Sequence, residues 1–452
     1  MSAECYHFIG IGGIGMSALA LILLQRGSCV SGSDTSSSPL TEELRKLGAK
    51  IFIGHSASHI HNPSAIIFST AIKEENPEVK KARSLQVPFM HRSLLLKQLM
   101  EGYQPLLVTG THGKTTTTSL LAHLLVYVGK DPSYAVGGIV RSLRSNGKSG
   151  NGPYFVAEAD ESDGSFLKYT PFGAIITNID NDHLDYWETG EALIEGFRKF
   201  AEGVLSTEHL FWCGDDEKLC SLKLPGFSYG FDESNVACIK NFRQAGWNNS
   251  FDLTFKSTEY LEIEIPLVGA HNVLNAASVF CLGLQLGISE AKIREAFSHF
   301  KGVGRRAEFQ GEQKGISVFD DYAHHPTEIF ATLRAMKQAV FQRRLVVAFQ
   351  PHRYTRTRDC LSEFAEAFEK ADLLVLTDIY AASEAPIEGI TSEAVLSKIK
   401  ETLCIDVFYS PRKTLVDTLV SLLEPEDVLV TMGAGDITQV GKEVLQKLSL
   451  KT

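Results

Sequence analysis

Residues 106–125 read LLVTGTHGKTTTTSLLAHLL. The apolar run Leu106–Val108 predicts a buried strand. Gly110-Thr111-His112-Gly113-Lys114-Thr115-Thr116 then predicts a tight turn opening into a helix. A strand, a glycine turn, Lys-Thr and a helix N-terminus make a phosphate cradle. Backbone N–H groups aim at anionic oxygens, Lys114 reaches the terminal phosphates, and the Thr115 hydroxyl is placed to ligate Mg²⁺. Val108 stands where the general G-x-x-x-x-G-K-[ST] pattern has its first glycine. This shortened loop marks a subset of nucleotide-hydrolysing proteins, so the expected ligand is a nucleoside triphosphate.

Upstream, Tyr6–Ile9 predicts another strand, followed by Gly10-Ile11-Gly12-Gly13-Ile14-Gly15 and a helix over about Met16–Gln25. Asp34 follows near the end of the next predicted strand. Together Gly10, Gly12, Gly13, Gly15 and Asp34 match the dinucleotide fingerprint. The geometry guarantees only a close backbone approach to a pyrophosphate, which a UDP-sugar also carries. Three readings stay open: a dinucleotide, another nucleotide-linked substrate, or a structural turn.

Further apolar runs at Cys29–Ser31, Ile51–Ile53 and Ile66–Phe68 alternate with helical patterns, as do Phe155–Ala157 and Ala174–Thr177. Such alternation predicts parallel, helix-covered sheets. FDLTFKSTEYLEIEI (251–265) predicts a hairpin turning near Ser257-Thr258, with a helix from about Asn272 to Leu286 beyond it. The last third predicts strands near Ile316–Phe319, Leu345–Phe349, Leu373–Leu376, Cys404–Phe408 and Val428–Val430. Helices are expected from Pro326 and around Leu361–Phe368, Ser392–Lys400 and Thr414–Leu423. The fold class is α/β in three domains: 1–103 Rossmann-like, 104–303 a P-loop ATPase unit with a mixed-sheet elaboration, and 304–452 Rossmann-like. Hinges are expected near Pro105 and Gly302–Gly304.

The 452 residues carry a net charge of −10 without a sustained basic run, which argues against nucleic acid or an anionic membrane as a general partner. The eight cysteines form no C-x-x-C pair, and no apolar run approaches membrane-spanning length. The expected location is the cytoplasm.

Several clusters fall at predicted strand ends, where open α/β sheets place ligands. Glu158 closes the strand YFVA and is the first candidate to hold Mg²⁺, which prefers oxygen ligands. The acids after it (Asp160, Glu161, Asp163) read as solvated surface. His183, beside Asp182, could hold a metal or a phosphate. Asn272 and Asn275 lie three apart on one helix face and could read a base edge or cap the helix. Arg306, in Arg305-Arg306, could supply a cation to the γ-phosphate. Asp320-Asp321-Tyr322-Ala323-His324 and His352-Arg353-Tyr354-Thr355-Arg356 would suit a small zwitterion, with an arginine on its carboxylate.

Taken together, HFIGIGGIGMSALA, GTHGKTTTT, EADESDGSFL, TNIDNDHLD, HNVLNA, GRR, DDYAHHPTE, FQPHRYTRTRD and DIYAASEAPIEG resemble the Mur ligases over essentially the whole chain. The DDYAHHPTE and HRYTRTRD pair resembles the alanine-adding branch. The resemblance implies domains for a UDP-sugar, ATP and an amino acid, with UDP-N-acetylmuramate and L-alanine as substrates and ATP and Mg²⁺ as cofactors. It implies that Lys114 and Thr115 serve the triphosphate and metal, with Glu158 and His183 completing the magnesium sites. Arg306 would touch the γ-phosphate, and Lys114, His183 and Arg306 would form the catalytic set. Asn272, Asn275 and Asp321 would hold adenine and ribose, and Tyr322, His324 and Arg356 the alanine. Lys199 receives no role. Some relatives are fused to a D-alanine–D-alanine ligase, which makes such a ligase an expected partner. The rivals are a ligase recycling a muropeptide, a nicotinamide oxidoreductase resting on the first glycine loop alone, and a non-catalytic UDP-sugar sensor.

Overall fold

The computed structural model describes residues 4–450. Met1–Ala3 and Lys451–Thr452 lie outside the described residues, as do the side chains of Leu184 and Asp185.

Three sheets are built in chain order. The first has β1 (Cys5–Ile9), β2 (Cys29–Asp34), β3 (Lys50–Ile53), β4 (Ala65–Phe68) and β5 (Phe89–His91), in the order β3-β2-β1-β4-β5. All its pairings are parallel, so each connection must cross over a face of the sheet; α-helices do so except between β3 and β4, where a single 3₁₀ turn, Ala57–His59, lies in the connection. Helix α1 (Ile14–Gln25) is buried from Met16 through Leu23. That is why its sequence is apolar all round rather than along one stripe. Helices α2 (Pro39–Lys46), α3 (Pro77–Arg83) and α4 (Arg92–Met100) complete this layer, α2 and α3 opening on proline behind Ser38 and Asn76 caps.

The second sheet contains β6 (Gln104–Thr109), β7 (Ser133–Val140), β8 (Ser145–Lys148), β9 (Tyr154–Glu158), β10 (Gly173–Ile176), β11 (Leu210–Cys213), β12 (Phe227–Gly230), β13 (Ala237–Ala245), β14 (Asn248–Phe255) and β15 (Thr258–Ile265). The order is β15-β14-β13-β12-β11-β10-β6-β9-β7-β8. Helix α5 (Lys114–Tyr127) follows central β6. The predicted hairpin is present but turns at Lys256-Ser257, one residue early. Both residues have positive φ, 50° and 64°. A two-residue turn of this kind matches the right-handed twist of the flanking strands.

The third sheet has β16 (Glu308–Gln313), β17 (Ile316–Asp321), β18 (Leu345–Phe349), β19 (Leu373–Leu376), β20 (Asp406–Tyr409) and β21 (Val428–Met432), in the order β16-β17-β21-β18-β19-β20. Only β16 against β17 is antiparallel. The helix expected around Leu361–Phe368 is instead two short pieces, Tyr354–Asp359 and Phe364–Ala367. Helix geometry thus begins earlier, inside the RYTRTRD run, whose polar residues carry no apolar periodicity to announce it.

The chain forms two compact units. One runs to Lys240 and adds Phe251–Ile263 and Leu274–Lys301; the other takes Asn241–Ser250, Glu264–Val273 and the chain from Gly302. The first sheet and most of the second therefore belong to one unit, while parts of β13, β14 and β15 fall in the other. Within the first unit the Asn146 amide donates to the Ile14 carbonyl at 2.7 Å and the Ser17 hydroxyl at 2.9 Å. Among the described residues, no helix is long and apolar enough to cross a membrane, and none of the eight cysteines is in a disulfide.

Candidate active site

The phosphate loop joins β6 to α5 at the carboxyl edge of the second sheet, and two glycines make it tight. Gly110 has φ +130°, and a Cβ there would fall 2.0 Å from Thr177 Oγ1. Gly113 has φ +84°, and its Cβ would meet Asn275 Oδ1 at 2.9 Å. Only glycine suits these backbones at such close approach. The next strand end holds the loop from outside: the Asn178 side chain accepts from His112 N at 2.9 Å, and the Thr177 hydroxyl donates to the His112 carbonyl at 2.6 Å. His112 Nε2 lies 3.1 Å from Asp180 Oδ2, and the Thr111 hydroxyl accepts from Asp180 N at 2.8 Å. TNID thus acts as a brace for the cradle. Thr116 is buried in the first turn of α5.

Lys114 donates to the carbonyls of Gly110 (2.6 Å) and Thr111 (3.2 Å) and to both carboxylate oxygens of Glu161 (2.9 and 2.7 Å). Burial opposes its charge, but Glu161 and Asp160 outweigh that and hold the ammonium above the ordinary lysine range. The Thr115 hydroxyl donates to Glu158 Oε2 at 3.2 Å, and Glu158 Oε1 accepts the Gly137 N–H at 2.6 Å. Burial pushes the Glu158 carboxyl above the usual carboxylate range, with Gly137, Lys114 and Thr115 offsetting only part of it. His183 has φ +60°, and its Nε2 lies 3.8 Å from Glu161 Oε1.

The structure corrects the reading of the acids after Glu158 as solvated surface. The Glu161 side chain is 1 % exposed and clamps Lys114. Asp160 accepts from Arg92 at 2.9 Å, and Lys114 and Arg92 hold its carboxyl well below the usual range despite burial. Arg92 was missed in the sequence. It opens α4, and its Nη1 comes within 3.3 Å of where a Cβ on Gly15 would sit. One guanidinium therefore lies beside Gly15, the last glycine of the first motif, while pairing with Asp160 near the phosphate loop. No local motif surrounds Arg92; only its place just after β5, at a strand end, could have singled it out.

In the first glycine loop, Gly10 and Ile11 N–H groups both donate to the Ser33 carbonyl, and Gly13 N donates to the Gly10 carbonyl. Asp34 Oδ2 accepts the Gly12 N–H at 2.8 Å, so this carboxylate shapes the loop itself.

The second unit gathers the other candidates. Asp321, at the end of β17, accepts the N–H groups of Ala307 (2.6 Å) and Ala323 (2.8 Å), and burial pushes its carboxyl up to about 6. The guanidinium carbons of Arg305 and Arg306 lie 4.8 and 5.4 Å from the Tyr322 ring centre, and Arg306 reaches Glu328 at 3.5 Å. His324 Nδ1 is 2.9 Å from the Tyr322 carbonyl, and its ring is 5.9 Å from that of His352. His352 stacks on Tyr380 at 5.5 Å, and its Nδ1 is 3.3 Å from Arg356 Nη1. Burial brings His324 down to about 4 and His352 down to about 3, so both rings are neutral at pH 7. Asn272 Nδ2 donates to the Val268 carbonyl at 2.8 Å. Lys199, in the first unit, is exposed, 3.8 Å from Glu195.

Three family models match in succession: "Mur ligase family, catalytic domain" over 5–104, "Mur ligase middle domain" over 108–283 and "Mur ligase, glutamate ligase domain" over 305–435. The chain belongs to the Mur ligase family. Among relatives of this Mur ligase, the UDP-N-acetylmuramate–L-alanine ligase of Protochlamydia amoebophila is 50% identical over 444 residues, 98% of each chain. That of Geotalea uraniireducens is 43% identical over 98% of each. The crystal structure of the UDP-N-acetylmuramate–alanine ligase of Thermotoga maritima superposes with a TM-score of 0.87 at 31% identity, covering 99% of both chains. Mur ligases are ATP-dependent, in keeping with the phosphate loop.

Proposed function

We propose that this Mur ligase joins L-alanine to the lactyl carboxylate of UDP-N-acetylmuramate at the expense of ATP. The observation that carries this reading is the Lys114, Thr115 and Glu158 arrangement on a phosphate loop, within a chain half identical, end to end, to an alanine-adding ligase. A carboxylate resists amines because oxide is a poor leaving group. Transfer of the γ-phosphoryl group to the lactyl oxygen, with departure of ADP, makes an acyl phosphate. The alanine amine then attacks the carbonyl carbon, and the tetrahedral adduct expels phosphate to leave an amide.

In this scheme Lys114 turns from Glu161 to the phosphate oxygens, and Arg306 adds charge at the γ-phosphate. Asn272, Asn275 and Asp321 hold the nucleoside. Arg356 pairs with the alanine carboxylate through two parallel hydrogen bonds. His324, with its Nδ1 proton given to the Tyr322 carbonyl, keeps a lone pair on Nε2 that accepts a hydrogen bond from the alanine ammonium. Gly10, Gly12, Gly13 and Gly15 carry the UDP diphosphate. Thr115 and Glu158 present a hydroxyl and a carboxylate, the hard oxygen donors that suit Mg²⁺, with His183 and Glu161 alongside. When bound, that ion neutralises crowded phosphate oxygens. The reading places the enzyme in the cytoplasm, with its ATP.

The test is phosphate release from ATP with UDP-N-acetylmuramate and each amino acid in turn, together with detection of the new amide. Alanine-dependent release with amide formation is expected. Release with a muropeptide but not alanine, or a redox change instead, would defeat the reading.

A further inference from the structure

The first unit buries an ionised carboxylate that the chemistry above does not use. Glu78, in the first turn of α3, is 0 % exposed. Its Oε1 accepts the Ser56 N–H at 3.0 Å and lies 2.9 Å from His59 Nδ1. Its Oε2 accepts the Ser33 hydroxyl at 2.6 Å and lies 3.3 Å from His7 Nε2. An ionised carboxylate offers about four lone-pair sites and no proton, and here all four face donors. Burial pushes this carboxyl upward, but hydrogen bonds from His7, Ser33, Ser56 and His59 overcome it and bring it down to about 2.

Because Glu78 can only accept, it dictates the protons around it. Ser33 has one hydroxyl proton, and it goes to Glu78. The Ser33 oxygen also lies 2.9 Å from His55 Nδ1, so His55 must donate there. A neutral imidazole that donates from Nδ1 carries its lone pair on Nε2. His55 stands just past β3, is 16 % exposed, and its Nε2 has no partner among the described residues. The same Ser33 receives the Gly10 and Ile11 N–H groups on its carbonyl at 2.8 and 3.0 Å, and its neighbour Asp34 receives Gly12.

We propose that Glu78 is the positioning residue of the sugar-nucleotide site. Through Ser33 it fixes the first glycine loop, and it sets His55 as a hydrogen-bond acceptor for an N–H or O–H of the nucleotide. This rests on the reading of that loop as the UDP-sugar site.

The test uses the full chain. Glu78→Gln replaces two acceptor sites with donors, which oppose the N–H and O–H groups already pointing there. Ser33→Ala keeps the carboxylate and cuts the relay. Both should raise the KM and Kd for UDP-N-acetylmuramate about tenfold, with kcat and the KM values for ATP and alanine unchanged. Long-range ¹⁵N–¹H NMR of the imidazoles should show the Nδ1–H form of His55 in the parent protein and a mixture in either variant. The proposal is overturned if all three KM values move together with Tm, if sugar-nucleotide binding is unaffected, or if His55 carries its proton on Nε2 in the parent. A parent protein that binds no UDP-N-acetylmuramate defeats the functional reading as well. Parent binding with unaltered variants defeats this inference alone.

Discussion

Lys114 Nζ lies 2.7 Å from Glu161 Oε2 while also donating to the Gly110 carbonyl at 2.6 Å. The ammonium proposed to serve the triphosphate is held by its own loop and by a carboxylate only 1 % exposed. The loop is therefore preorganised, and the ligand must win the ammonium from Glu161.

Lys114→Ala should lower kcat by at least about 10²–10³-fold, the scale of losing a preorganised charge. The Kd for UDP-N-acetylmuramate should stay within about twofold. Removal of one partner from a buried pair also predicts a loss of about 3–5 kcal/mol in stability. Denaturant titration of Lys114→Ala beside Lys114→Ala/Glu161→Gln checks this, because the double variant should recover part of the loss.

Gly110→Ala places a methyl group 2.0 Å from Thr177 Oγ1 on a backbone of φ +130°. Stability should fall by about 1–3 kcal/mol, and ATP affinity should fall more than sugar-nucleotide affinity. Calorimetric titration with each ligand measures both.

Arg356→Ala should raise the KM for alanine about 10–100-fold, the worth of a charge-assisted pair of hydrogen bonds, with little change in the KM for ATP. Glu384 accepts the Thr355 N–H at 3.0 Å and the Thr355 hydroxyl at 2.8 Å, tying down the start of this short helix. Glu384→Gln should therefore produce a weaker form of the same effect. Initial rates with alanine varied at saturating ATP decide both.

The pH dependence follows from signs. His324 and His352 lie at about 4 and about 3 in the folded state, below the ordinary value of 6.5. Their contribution is present above pH 6.5 and is lost as pH falls toward those values, because the unfolded chain takes up protons first. Each contributes a slope of at most about 1.4 kcal/mol per pH unit. Asp321, raised to about 6, acts oppositely: its contribution is present below its unfolded value of 3.8 and is lost as pH rises through 6. Tm should thus fall from pH 6.5 to 4, His352→Gln should flatten the fall, and Asp321→Asn should steepen it. A Tm series against pH tests all three.

The sequence disclosed what is local. Glycine spacing before Lys114 announced the cradle, and apolar runs such as Leu345–Phe349 and Leu373–Leu376 match β18 and β19 residue for residue. It hid what depends on distant partners. Glu161 looks like one acid in a charged run, and only the fold shows Lys114 above it. Arg92 and Glu78 carry no motif, because the groups that give them meaning, Asp160 and Ser33, lie 68 and 45 residues away in the chain. Edge strands such as β16 (EFQGEQ) were missed because their half-exposed residues lack an apolar run.

The Asn146 amide on Ile14 and Ser17 has a practical consequence for anyone dissecting the molecule. Helix α1 packs against β7 and β8, and a Cβ on Gly147 would fall 2.8 Å from the Ala18 carbonyl oxygen. Cutting the gene after codon 103 would strip that cover and leave a leucine-rich surface bare to water. Such a fragment should clump during expression, whereas one ending after the second sheet keeps its greasy helix wrapped.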